Sequence, residues 1–184
     1  GPRASTWATR SRAAMSPRLD YVRGDATPCY TPFLKRAHRY IGLVKTPGDT
    51  PRGWYVVWDD VERVAPSDSS VRRALGLARA GAAVVARDSI VPIEFLLHSD
   101  PGGVFQVDGQ PLLDDATTGG TEVTIDQGAN RLSLHFLTPV RVAARTYPHC
   151  ATYGHYLSIT RPGATEAGFV ALVWVGPRES REAH

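Results

Sequence analysis

Apolar positions along the chain recur in short runs bounded by turn residues, which is the signature of strands. Glu122-Val123-Thr124-Ile125-Asp126 alternates polar and apolar cleanly, as a strand with one buried face does. Residues 31–44 end in Tyr40-Ile41-Gly42-Leu43-Val44 and stop at the turn Thr46-Pro47-Gly48-Asp49. Trp54-Tyr55-Val56-Val57-Trp58 follows, framed by Pro51-Arg52-Gly53 and by Asp59-Asp60. Ala83-Val84-Val85 and residues 90–97 read as a long strand kinked at Pro92. Val104-Phe105-Gln106-Val107 stops at Asp108-Gly109, and residues 132–137 and 140–146 are two runs separated by Pro139. Tyr156-Leu157-Ser158-Ile159-Thr160 ends at Arg161-Pro162-Gly163, and residues 169–175 close the set before Gly176-Pro177. One helix is predicted: Pro66-Ser67-Asp68-Ser69-Ser70 offers N-caps, with Val71, Leu75 and Ala78 at helical spacing behind them. Gly76 and Gly81 limit it to about three turns.

About eight strands at the spacing of a sandwich or barrel predict an all-β protein. The irregular loops and the helix between early strands favour an eight-stranded antiparallel jelly-roll sandwich with one short connecting helix and an extended N-terminal arm. An immunoglobulin sandwich fits less well, because its Cys-Trp-Cys spacing is missing. In a sandwich, Trp54, Trp58 and Trp174 belong to the core. The chain divides into a basic arm over residues 1–25, a jelly-roll domain over 26–178 and a tail over 179–184.

Composition supports a single folded domain: 184 residues, 42% hydrophobic and 21% charged, with 17 Gly and 14 Pro that disfavour long helices. No window approaches the roughly 20 apolar residues that a membrane-spanning helix needs. The formal charge of +3 is built from 19 Arg beside only Lys35 and Lys45, a ratio that fits a GC-rich coding sequence. Four of those arginines, Arg3, Arg10, Arg12 and Arg18, precede the first acid, Asp20, and suit contacts to RNA phosphates or to neighbouring subunits. The opening Gly1-Pro2 reads as a processed end.

Enzyme chemistry finds little support. Cys150 lies in Tyr147-Pro148-His149-Cys150-Ala151-Thr152-Tyr153-Gly154-His155, but His149, its immediate neighbour, points the other way on an extended chain. Six scattered His offer no metal-binding pair, and Gly102-Gly103 and Gly119-Gly120 lack the Lys-Ser/Thr of a phosphate loop. Asp59-Asp60 and Asp114-Asp115 read as turn residues rather than paired catalytic carboxylates. No catalytic residue, metal or cofactor is expected. Arg23-Gly24-Asp25 spells an integrin-type tripeptide, but its position just after the acid-free segment of residues 1–19 is a poor place for a displayed loop. His135 on a predicted strand, with His149 and His155 flanking a loop, could sense acid near pH 6.

Residues 131–147, Arg131-Leu132-Ser133-Leu134-His135-Phe136-Leu137-Thr138-Pro139-Val140-Arg141-Val142-Ala143-Ala144-Arg145-Thr146-Tyr147, resemble a strand pair late in a capsid jelly roll. The family is the fivefold-vertex major capsid protein of picornaviruses, particularly the small aphthovirus type. The likeness runs upstream through Ala74-Leu75-Gly76-Leu77-Ala78-Arg79-Ala80, Gly109-Gln110-Pro111 and the loop at 114–118. Downstream it takes in Thr152-Tyr153-Gly154 and Gly176-Pro177-Arg178, so that residues 70–178 carry it. The long receptor-binding loop of the aphthovirus type has no counterpart, since only residues 148–153 stand there, and the integrin tripeptide is not carried over.

The resemblance implies a structural protein of the virion, with no catalytic role, made in the host cytoplasm as a polyprotein product. Its partners would be sister capsid proteins, copies of itself around a fivefold axis, viral RNA through the arm, and a host receptor. Two other readings stay open: a stand-alone β-sandwich that binds glycans through exposed Trp54 or Tyr55, and a hydrolase using Cys150.

Overall fold

A computed structural model describes residues 12–46, 53–65, 68–74, 93–100, 102–146, 154–161 and 167–178. Eleven strands form one antiparallel sheet: β1 Arg12–Met15, β2 Leu19–Asp25, β3 Leu34–Lys45, β4 Gly53–Arg63, β5 Phe95–Ser99, β6 Val104–Val107, β7 Gln110–Pro111, β8 Thr117–Gln127, β9 Asn130–Thr146, β10 His155–Thr160 and β11 Ala167–Pro177. The strand order is β1-β2-β3-β4-β11-β9-β8-β6-β7, with β10 pairing both β9 and β5. The antiparallel all-β class expected from the sequence holds, with eleven strands in place of eight. One short helix, α1 Ser69–Ala74, is described, and Val71 is its buried residue. The remainder of the predicted helix and the kink at Pro92 lie outside the described residues.

The sheet bends on itself at the β8–β9 hairpin. Gly120 pairs with Val140 but Glu122 pairs with His135, so residues 136–139 of β9 face only Thr121 of β8. Extra residues on one strand bend it and re-aim its side chains. Pro139 sits in this unpaired stretch, where its missing N–H leaves no ladder bond unmade, and β9 therefore runs on through the proline that was expected to divide it.

Beyond the bend, residues 141–146 of β9 pair with β10, and β10 with β5, forming a small layer over the larger one. Phe95, Val142, Leu157 and Ile159 of the small layer meet Phe105, Val123, Leu134, Phe136 and Phe169 of the large layer in one core. Phe95 stands edge-on to Phe136 with ring centroids 6.2 Å apart. Burying each such side chain contributes about 1.5–3 kcal/mol.

Phenylalanine and branched aliphatics fill this core, and tryptophan does not. In β4, Val57 packs against the core while Trp54 and Trp58 point from the opposite face, which corrects their assignment to the interior. The register decides this: Trp58 lies between Tyr40 of β3 and Val170 of β11, both on the outer face. Trp174 is also outside the core cluster, and its ring lies so close to Gly176 that a Cβ there would overlap it.

Residues 12–25 form a hairpin on the sheet edge. β1 pairs with β2 from Arg12↔Arg23 to Met15↔Asp20, and β2 pairs with β3 along its whole length. Ser16 fixes the connection, its hydroxyl accepting from the Leu19 amide at 2.9 Å. No helix of the described residues is long and apolar enough to cross a membrane.

Candidate interaction surfaces

Two neighbouring regions of the β1–β4 meander carry chemistry that the core does not consume. Alternation along β2, β3 and β4 sends Tyr21, Arg23, Asp25, His38, Tyr40, Trp58 and Asp60 to the outer face. It sends Val22, Ile41, Leu43, Tyr55 and Val57 to the inner face, in line with the core.

On the outer face, Tyr40 is the centre of an aromatic row. Its ring stacks on Trp58 with centroids 5.0 Å apart and meets Tyr21 in a tilted contact at 6.2 Å, and the Arg23 guanidinium lies 5.7 Å from its centroid. Trp58 is 48% exposed despite these contacts. Arg23 Nη2 lies 3.0 Å from both imidazole nitrogens of His38, and His38 Nε2 lies 3.5 Å from Asp25 Oδ2. The Asp25 carboxyl is held below its ordinary pKa, mainly by the Thr27 hydroxyl and then by the Thr27 amide, which donates at 2.9 Å. Arg23-Gly24-Asp25 is thus built into a paired strand, with both charged side chains turned to His38.

Several other cations of the meander are paired with acids in place. Arg36 pairs with Asp60 at 2.7 Å and Glu62 at 2.9 Å, Lys35 with Glu62 at 3.3 Å, and Lys45 with Asp20 at 2.7 Å. Asp59 and Asp60 lie inside β4, not in the turn expected from the sequence. Asp59 accepts two hydrogen bonds from Arg39 at 2.7 Å, which raises the Arg39 pKa, and the same guanidinium lies 4.8 Å from the centroid of Phe95. This pair closes the core at its rim.

Past that rim the inner face continues. Ile41 and Leu43 are half-buried, and Val22 and Tyr55 are 37% and 39% exposed. Among these inner-face residues Val57 alone packs against the core cluster.

The site residues read from the sequence fall in separate places. Arg12 lies on β1 and Arg18 in the turn before β2, both exposed, while Arg3, Arg10 and His149 lie outside the described residues. His135 is exposed on the outer face between Glu122 and Leu172, and His155 begins β10 with Nδ1 3.4 Å from Asp114 Oδ1. The two histidines therefore do not share a site. Cys29 is exposed, and Cys150 lies outside the described residues. No cluster of three or more metal-ligating side chains occurs among the described residues.

The sequence named exposed Trp54 or Tyr55 as a stacking platform; Tyr55 is exposed on the inner face and Trp54 is half-buried, while the outer face carries an aromatic row of Tyr21, Tyr40 and Trp58 in which Trp58 is exposed. The missed signal was the register, which sets Tyr40 beside Trp58 across β3 and β4. No protein-family model matches the chain, and no curated protein is significantly similar to it.

Proposed function

We propose that this chain is a coat subunit of a small icosahedral RNA virus, packing with sister capsid proteins and copies of itself around the genome. The observation that carries the reading is the inner-face overhang of the meander. Val22, Ile41, Leu43 and Tyr55 extend the apolar face of the core beyond its rim, as a surface completed by another chain does. The resemblance of residues 70–178 to the picornavirus fivefold-vertex protein points the same way. In this reading the bent sheet is a form of the capsid jelly roll, and the pairing of β4 with the final strand is the long return that a Greek key requires. Arg12 and Arg18, exposed on the edge hairpin, would meet RNA phosphates or sister chains. His135 and His155 would act independently in acid-triggered disassembly, since they occupy different surfaces.

Sedimentation of the native preparation, with electron microscopy of its fastest fraction, tests the proposal. The expected result is the chain in icosahedral particles together with sister chains. A monodisperse monomer, stable alone, would overturn it and leave a free-standing binding module.

A further inference from the structure

The outer face of the small layer holds a polar cleft of about 290 Å³, away from the overhang. Alternation along β9 sends Arg141, Ala143 and Arg145 to this face, while Val142 and Ala144 enter the core. The β9–β10 register sets Ser158 beside Ala143 and Thr160 beside Arg141, and the β8–β9 register sets Thr117 on the other side of Ala143. A row of small side chains thus crosses β8, β9 and β10 between two arginines whose Cα atoms are four strand positions, about 13 Å, apart. Both arginine side chains line the cleft above that row.

Two observations point to a ligand. Among the described residues neither Arg141 nor Arg145 forms an ion pair, and the one hydrogen bond of either runs from Arg145 Nη1 to the adjacent Ala144 carbonyl at 3.5 Å. Ser158 is 9% exposed and lines the cleft, and its hydroxyl has no hydrogen-bond partner among the described residues. A buried hydroxyl left unpaired between two cations is placed to donate to an anion that they share.

The other charges of this face choose the anion. Glu94, next to the Ile159↔Phe95 pair, lines the cleft from the β5 side, and Asp115 lies two residues before Thr117. Neither pairs with the arginines, and their charge confines an anion to the space over β9. His98 tilts against Tyr156 beside Arg145, and Arg161, the next cation along the chain from β10, donates to the Gly168 carbonyl at 2.9 Å. A nucleic acid needs a line of free cations for successive phosphates, and here it would run from the two arginines onto a carboxylate at either side. A carboxylate is satisfied by one bidentate guanidinium. Two guanidiniums with the hydroxyls of Thr117, Ser158 and Thr160 match instead a compact dianion whose oxygens point in tetrahedral directions. A second cleft of about 460 Å³ adjoins the first through Thr117 and Arg141, along Gly119, Gly120 and Pro139, and gives room for an organic group.

We propose that this cleft binds a small phosphomonoester, its dianionic phosphate held between Arg141 and Arg145 with Ser158 donating from the floor. The cleft shares no residue with the overhang, so it stands or falls separately from the shell reading.

The test titrates the full chain with methyl phosphate, dimethyl phosphate and inorganic phosphate at about pH 7.5, where the monoester is a dianion. Phosphorus NMR line broadening reports binding, and acetate is added as a competitor. Methyl phosphate is expected to bind with a Kd of about 1 mM, and dimethyl phosphate and acetate at least about tenfold more weakly. Arg141→Gln and Arg145→Gln should each weaken methyl phosphate about tenfold, and Ser158→Ala about threefold, with circular dichroism unchanged. Absence of methyl phosphate binding overturns the proposal without any variant. Equal affinity for dimethyl phosphate overturns it in favour of a nucleic-acid backbone, and equal competition by acetate in favour of a carboxylate. Inorganic phosphate bound about tenfold tighter than the ester would make the free ion the occupant. Binding that survives in the Arg141→Gln/Arg145→Gln double variant places the ester elsewhere and overturns the site.

Discussion

Asp126 is 3% exposed and lies between two guanidinium groups. Arg131 reaches it with Nε at 2.5 Å and Nη2 at 2.6 Å, and Arg178 Nε approaches at 3.3 Å. The Arg131 pKa is raised, chiefly by its hydrogen bonds to this carboxylate. Removing the acid strands a buried cation, so Asp126→Ala should destabilise the fold by about 3–5 kcal/mol. Urea denaturation measures this, and the double variant Asp126→Leu/Arg131→Leu should recover most of the loss. Asp25 gives the corresponding pH prediction. Its folded pKa is depressed, so its contribution is present above the unfolded value near 3.9 and is lost as pH falls through the folded one. Asp25→Asn should lower the melting temperature at pH 7, by no more than about 1 kcal/mol in stability given solvent screening. The difference should shrink as pH falls below the unfolded value and vanish once Asp25 is protonated in the folded chain; a gap that persists there would assign the effect to lost packing. Neither partnership was legible beforehand. Asp126 was read as one polar position in a strand pattern, and nothing in the order of residues discloses that Arg131 lies opposite it across a hairpin.

At the scale of elements, local turn chemistry was readable and strand register was not. Asp108-Gly109 was expected to end a strand, and the two residues connect β6 to β7 with φ of 48° and 77°, the left-handed pair of a tight hairpin turn. Asp114-Asp115 lies in a turn as expected, with Asp115 at φ 60°. By contrast β1 and β2 went unseen, because Arg12, Arg18 and Arg23 break their apolar pattern and their pairing with β3 supplies what the pattern lacks. The turn at Asp108 is also tied to the larger bend. Its carboxylate accepts from the amides of Thr121 at 3.1 Å and Glu122 at 2.8 Å, the residues at which the β8–β9 pairing shifts. Asp108→Ala removes the one oxygen, Oδ1, that accepts both hydrogen bonds and puts Ala at positive φ, so a loss of about 1–3 kcal/mol is expected. Asp108→Asn, which tolerates that backbone and keeps an oxygen able to accept both bonds, should lose less. If the two variants unfold at the same denaturant concentration, the carboxylate does not hold the bend.

For the whole molecule, the central question is why a sheet broad enough to complete a sandwich leaves part of its inner face open. The sequence indicated an all-β chain and a core of alternating positions, but it could not show that β1–β4 run beyond the layer made by β5, β10 and the end of β9. That extent depends on strand order, which only long-range pairing fixes. The overhang has a consequence that separates an assembly surface from an incomplete core. Tyr55 is exposed, so a charged side chain there should change the stability of the isolated subunit by no more than about 0.5 kcal/mol. In a subunit interface the same charge would be desolvated without a partner, which is expensive. Tyr55→Glu should therefore shift the chain from fast-sedimenting particles to free subunits whose circular dichroism and melting temperature match those of the dissociated wild type. Trp58→Ala, on the opposite face, should leave the particles intact. If Tyr55→Glu unfolds the subunit, the inner face past Arg39 and Asp59 belongs to the core of the lone chain. If it leaves the particles unchanged, the overhang is not where the shell is joined.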